Sequence, residues 1–173
     1  GRIAGGTVRV GDTLVVGGSG TRTKVKGIHT YDEPERAAAT APDPVVITLE
    51  DEIDVSRGDL LAEADRPPKV AAEVSARICW LGAEPVDPSL TYLVKHHHRY
   101  LKARLLGVAR KLDVATLAPI DGDGALGMNE IGEVRLKFGG PSAFDAYSEN
   151  RTTGGAIVVD PRTNRTVGAG LLL

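Results

Sequence analysis

The sequence predicts an all-β protein built as two antiparallel β-barrels. Its 21 glycines and 10 prolines punctuate short runs rich in valine and isoleucine, the pattern of many strands joined by tight turns. No segment sustains the 3.6-residue apolar spacing of a helix bundle. Two consecutive prolines in Asp65-Arg66-Pro67-Pro68 cannot extend a ladder and favour polyproline geometry, so they form a short stiff joint. That joint sets a first barrel over residues 1–66 and a second over 67–173. Closing each unit into a barrel leaves no exposed strand edges.

Along the first unit, Val8 and Val10 are followed by Gly11-Asp12 and then by Leu14 and Val16, which reads as strand, tight turn, strand. Gly17-Gly18-Ser19-Gly20 is a hairpin loop. It is not a phosphate loop, because no Lys-Ser/Thr pair and no helix pattern come after it. In the next strand Thr23 and Val25 share one face, and Arg22, Lys24 and Lys26 the other. Residues 32–44 are acidic, Ala-rich and bounded by proline, a surface excursion with at most one helical turn. Residues 45–49 form an apolar strand, 51–55 a turn, and 56–61 a closing strand.

In the second unit, Val70 to Leu81 is one long strand carrying Cys79 and Trp80. Pro85 to Pro88 is a turn, and Leu90–His97 and Leu101–Leu112 are strands. Residues 120–127 form a Gly/Asp loop. Ile131 to Phe138 alternates cleanly, and Ala143 to Tyr147 is irregular or briefly helical. The last two strands lie within Glu149 to Leu173. The final one, Thr166-Val167-Gly168-Ala169-Gly170 and three leucines, closes the barrel. It is expected to be buried on both sides, with Gly168 and Gly170 bending it at a corner.

Composition bounds the function. The net charge is −2, so nothing global favours nucleic acid or a membrane surface. The one cysteine allows no internal disulfide, and with no signal peptide in view this points to a reducing cytoplasm. No apolar run approaches the roughly 20 residues that span a bilayer. The chain opens on Gly1-Arg2-Ile3 without an initiator Met, which suggests that residues precede it in the native protein.

Three clusters invite a chemical reading and are better explained without one. In Lys95-His96-His97-His98-Arg99, His96 and His98 would share a strand face, yet no third metal ligand is evident. Asp121-Gly122-Asp123-Gly124 opens like a calcium loop, but no carboxylate stands at the twelfth position, so it is a hydrated turn. Cys79 has no base partner and is a packed strand thiol. No catalytic, nucleotide-binding or metal-binding residue is assigned.

Several spaced motifs carry a family resemblance. Gly1-Arg2-Ile3 through Gly11-Asp12 resembles the opening of the β-barrel that follows the GTP-binding domain in translational GTPases. Ser56-Arg57-Gly58-Asp59-Leu60-Leu61-Ala62 is similar to that barrel's closing strand, and Arg165 to Gly170 looks like the last strand of elongation factor Tu. The resemblance sharpens at Asp51 to Asp59, Met128-Asn129-Glu130-Ile131-Gly132, Ala143-Phe144-Asp145-x-Tyr147, Glu149-Asn150-Arg151-x-Thr153-Gly154 and Asp160 to Gly170. Together these look like the large, GTP-hydrolysing subunit of bacterial sulfate adenylyltransferase, over its second and third domains.

The resemblance implies a role in making adenylylsulfate and pyrophosphate from ATP and sulfate. GTP and Mg²⁺ would belong to a GTP-binding domain absent from this sequence, and ATP to a small adenylyl-transferring subunit. This chain has no Gly-x4-Gly-Lys-Ser/Thr, no matching Asp-x-x-Gly and no Asn-Lys-x-Asp, hence no cradle for GTP. It would be a coupling and docking module, inactive alone. Expected partners are the small subunit, the chain's own GTP-binding domain and, in some bacteria, a fused adenylylsulfate kinase domain. Neither a membrane nor nucleic acid is expected as a partner.

Candidate interface residues are Lys102 and Arg104, within a run from Val94 to Leu112 that holds six Lys or Arg and no acidic residue. Glu130, Glu149 and Arg151 are added from the most family-like stretch. The plainer reading of the last three is loop-fixing hydrogen bonds. The alternative function is a tRNA- or protein-binding barrel module of a translation-factor-like GTPase, which the 4% aromatic content and acidic balance disfavour.

Overall fold

The computed structural model describes residues 1–116, 118–120 and 124–173, and divides them into two compact units, Gly1–Val70 and Ala71–Leu173. The turn read at Asp121-Gly122-Asp123 lies outside the described residues. Among those described, the only helix is a single turn, α1 (Arg151–Gly154). None is long and apolar enough to cross a membrane.

The first unit holds β1 (Thr7–Arg9), β2 (Thr13–Val16), β3 (Arg22–His29), β4 (Ala38–Thr40), β5 (Val46–Leu49) and β6 (Leu61–Glu63). Four of them form a sheet in the order β5-β3-β2-β6, and β1 pairs with β4. The glycine loop is the expected hairpin, with Leu14 opposite Thr23 across it. Alternation on β3 is as read: Thr23 and Val25 are buried, while Arg22, Lys24 and Lys26 are exposed.

Two expectations need correction here. The Gly11-Asp12 turn does not close a hairpin, because β1 pairs with β4 and β2 pairs with β3 and β6. The excursion at 32–44 contains strand β4, whose Ala39 is packed with Leu14, Val25, Ile28 and Val45. A three-residue strand of Ala-Ala-Thr offers too little contrast between faces to show a period of two.

The second unit is a closed six-stranded antiparallel barrel. Its strands are β7 (Lys69–Trp80), β8 (Tyr92–His96), β9 (Arg99–Leu112), β11 (Ile131–Phe144), β12 (Gly155–Val159) and β13 (Thr166–Leu172), and β10 (Pro119–Ile120) pairs with β9 at one end. The order β9-β11-β7-β13-β12-β8 returns on itself through the β8–β9 pairing. Every second side chain therefore points inward. Trp80, Ile78, Val94, Leu105, Leu136, Val158 and Leu172 are among those filling the interior. Burial of each large aliphatic side chain contributes about 1.5–3 kcal/mol.

β11 runs six residues past Phe138, through Gly139-Gly140-Pro141, and takes in Ala143 and Phe144, which were expected to be irregular or briefly helical. β9 carries a bulge opposite Val134 to Leu136, with Gly107 at φ 153° inside it. An extra residue there bends a 14-residue strand around a small barrel. The terminal strand does lie within the closed ring, between β7 and β12, but not as expected. Gly168, Gly170 and Leu172 are buried, and Ala169 between them is exposed. A Cβ on Gly168 would lie 3.3 Å from both Ile78 and Trp80. The two glycines thus clear space beneath large core side chains, and the β12–β13 register shifts beside Gly168.

Candidate functional site

Two regions of the barrel gather the singled-out residues. One is the end where the β8–β9 turn meets the loop from Asp145 to Gly154. The other is the outer face of β8 and β9.

At the barrel end, the Asn150 side chain caps α1 by accepting hydrogen bonds from the Thr152 and Thr153 amides at 2.9 and 3.3 Å. Thr153 Oγ1 donates to Asp145 Oδ2 at 2.5 Å. His96 Nε2 lies 2.8 Å from the Thr153 carbonyl, so this nitrogen carries the proton and donates. Gly154 lies against the Ala146–Tyr147 backbone. The stretch Asp145 to Gly154 is thus one hydrogen-bonded knot on top of the barrel.

The histidine reading is corrected by this geometry. β8 ends at His96, and His97 turns the chain at φ 53°, so His96 and His98 do not share a strand face. His96 is buried and bound to backbone. Its ring lies 4.0 Å from that of His97. His97 Nε2 is buried and has no hydrogen-bond partner. Among the described residues no three His, Cys, Asp or Glu side chains converge as metal ligands. Cys79 is a half-buried strand residue opposite Ala169.

Burial, then the neighbouring His96 and His98, pushes His97 from its ordinary 6.5 down to about 4, against an opposing pull from Asp145. Burial also lowers His96. A depressed histidine binds its proton more readily in the unfolded chain, so the contribution of His97 to stability falls as pH drops from about 6.5 towards 4. Urea denaturation across this range should show that loss. His97→Asn, which tolerates the left-handed turn, should flatten the slope; an unchanged slope would reject this origin.

The candidate interface residues fall into separate places. Glu130 Oε2 accepts from the Gly127 amide and pairs with Lys111 Nζ, both at 2.7 Å. These contacts, the Gly127 bond foremost, hold its carboxyl below the usual range. Glu130 therefore has a structural task, fixing the loop that enters β11. Glu149 and Arg151 are exposed on the barrel-end knot. Lys102 and Arg104 are exposed on one face of β9, between the inward-pointing Ala103 and Leu105. Glu130 lies by the opposite end of β9 from them, since Ile131 pairs with Leu112 and Lys137 with Arg104.

The basic run from Val94 to Leu112 divides accordingly. Arg110 pairs with Glu133 at 3.1 Å, and Lys111 with Glu130. Arg104 donates to the Pro88 carbonyl at 3.1 Å, a contact that leaves its charge uncompensated. Sequence reasoning did not single out Lys137, Tyr100 or Ile157, which lie on or beside the same outer face. Their signal was available only in the strand register.

Comparison with known proteins places this geometry. The chain is 42% identical over 173 residues to the bifunctional enzyme CysN/CysC of Rhodopirellula baltica, covering all of this chain and 26% of that protein. It is 38% identical to sulfate adenylyltransferase subunit 1 of Alteromonas mediterranea, again over its full length and 36% of that protein. The chain thus spans roughly a quarter to a third of these relatives. Among solved structures, Sup35 complexed with GMPPNP matches all of this chain with a TM-score of 0.88 at 16% identity, over 42% of its own length. The translation elongation factor SelB of Methanococcus maripaludis matches 97% of this chain and 37% of its own, with a TM-score of 0.73 at 21% identity. These likenesses show the translation-factor barrel fold. The family model for GTP-eEF1A C-terminal domain-like proteins matches residues 73–173, more than half of the sequence, and the chain belongs to that family.

Proposed function

We propose that this chain is the two-barrel portion of the GTP-hydrolysing subunit of a sulfate adenylyltransferase. The observation that carries the reading is full-length similarity at 38–42% identity to subunit 1 and CysN/CysC proteins. In this reading the chain transmits the state of a GTP-binding domain and docks the small subunit that transfers the adenylyl group. GTP and Mg²⁺ bind in the GTP-binding domain, ATP binds in the small subunit, and the assembly works in the cytoplasm. Relatives that are bifunctional CysN/CysC enzymes are consistent with a fused adenylylsulfate kinase domain, which this reading keeps as a further partner.

In this reading the chain's contribution is binding and coupling rather than chemistry. The test is co-purification of the chain with a purified small subunit, with transfer RNA offered in parallel. A stoichiometric complex with the small subunit is expected. Binding of transfer RNA in its place would support the translation-factor alternative and reject this reading.

A further inference from the structure

We propose that the outer face of β8, β9 and β12 docks an acidic protein surface carrying a protruding apolar side chain. In the assembly proposed above, that surface belongs to the small adenylyl-transferring subunit. The partner's identity rests on that functional reading, whereas the face itself is read from strand register, exposure and charge.

Register builds the face. Ile157 opposes Lys95, which in turn opposes Tyr100; in the next row Val159 opposes Leu93, which opposes Lys102. The intervening Val94, His96 and Val158 are buried in the barrel, so these rows point out. Leu93, Tyr100, Ile157 and Val159 share a shallow groove of about 550 Å³. Tyr100 is 59% exposed and Ile157 40%. A contiguous apolar floor on an outer sheet face differs from scattered exposed side chains, which need no explanation.

Charge then narrows the occupant. Arg104 sits directly opposite Lys137 in the β9–β11 ladder, and both are exposed. Like charges directly opposite destabilise a strand pair. Further along the same ladder, Arg110 stands opposite Glu133 and is paired with it. Barrel stability accounts for the charges at that end and not for those at this one. Lys95 stands within this floor, between Ile157 and Tyr100, and Lys102 and Arg104 follow along the same face of β9, an arrangement that suits acidic groups beside an apolar knob. The same cations repel a second copy of this face. A nucleic-acid backbone would satisfy the cations but leave Leu93, Ile157 and Val159 without apolar contact, so the groove favours protein.

The test measures binding of the purified small subunit to the full chain at low and high salt. Ile157→Asp is expected to weaken binding by about tenfold or more, as for a central apolar anchor. Lys102→Glu with Arg104→Glu is expected to slow association about tenfold at low salt, with the difference shrinking at high salt. Circular dichroism verifies folding. If Ile157→Asp unfolds, Tyr100→Ser at the more exposed position supplies the same readout. Wild-type binding retained in all folded variants overturns the face and leaves the proposed function standing. No binding by the wild-type chain overturns both. Transfer RNA is offered to the same variants, and if the wild-type chain binds it and these substitutions abolish that binding while small-subunit binding stays intact, the protein occupant is overturned.

Discussion

Trp80→Ala is expected to destabilise the second barrel by about 4 kcal/mol, the range for removing a buried aromatic ring. Trp80 is 1% exposed and meets Tyr92 edge-on, with ring centroids 5.6 Å apart. Its Nε1 donates to the Glu84 carbonyl at 2.7 Å, so the loop after β7 is fastened to the ring. Truncation would open a cavity above Gly168 and leave that carbonyl without its donor, and both effects act in one direction. Trp80→Phe should recover part of the loss by refilling the cavity without restoring the hydrogen bond. Trp80 is the chain's one tryptophan, so fluorescence cannot follow this variant. Amide exchange of β11 and β13 can, and unchanged protection there would refute the packing role.

Gly154→Ala should cost about 3 kcal/mol, at the upper end of ordinary overpacking. A Cβ there would lie 2.4 Å from both Cα and N of Tyr147 and 2.8 Å from the Ala146 carbonyl carbon. These are backbone atoms, so no rotamer change relieves the clash. That backbone is itself fixed, because the Tyr147 amide donates to the Leu172 carbonyl at 2.9 Å. Displacing residue 154 also moves the Thr153 carbonyl away from buried His96. Gly140→Ala is the control: its Cβ meets nothing within 4 Å, and the expected change is within about 0.5 kcal/mol. Equal urea midpoints for the two variants would show that the close crossing at Gly154 is not a constraint.

These two positions show what could and could not be read before the structure. Trp80 was legible as a residue of one long strand, but the face it takes was not, and the structure turns it into the core. Gly154 was only one of many glycines, because a crossing of backbone seven residues apart leaves no local trace. Strands with large side chains on one face, such as β3 and β11, were legible from alternation. β4 was not, since alanine and threonine contrast weakly. His96 and His98 looked like one strand face until the turn at His97 separated them.

The candidate interface was legible in part for the same reason. The excess of Lys and Arg between Val94 and Leu112 is visible in one dimension. Which of those charges are compensated depends on partners elsewhere in the chain. Glu133 and Glu130 neutralise Arg110 and Lys111. Arg104 is left facing Lys137, and the apolar floor beside Lys102 comes from β12, more than fifty residues away in sequence.

The central claim is that these barrels couple a GTP-binding domain to adenylyl transfer, and a domain exchange tests it most directly. The chain replaces the corresponding barrels of the Alteromonas mediterranea subunit 1, and adenylylsulfate formation is measured with that organism's small subunit, with and without GTP. The account predicts that the exchanged protein binds the small subunit and raises adenylylsulfate formation in a GTP-dependent manner. An exchanged protein that is folded and hydrolyses GTP, yet leaves adenylylsulfate formation at the level of the small subunit alone, would contradict it.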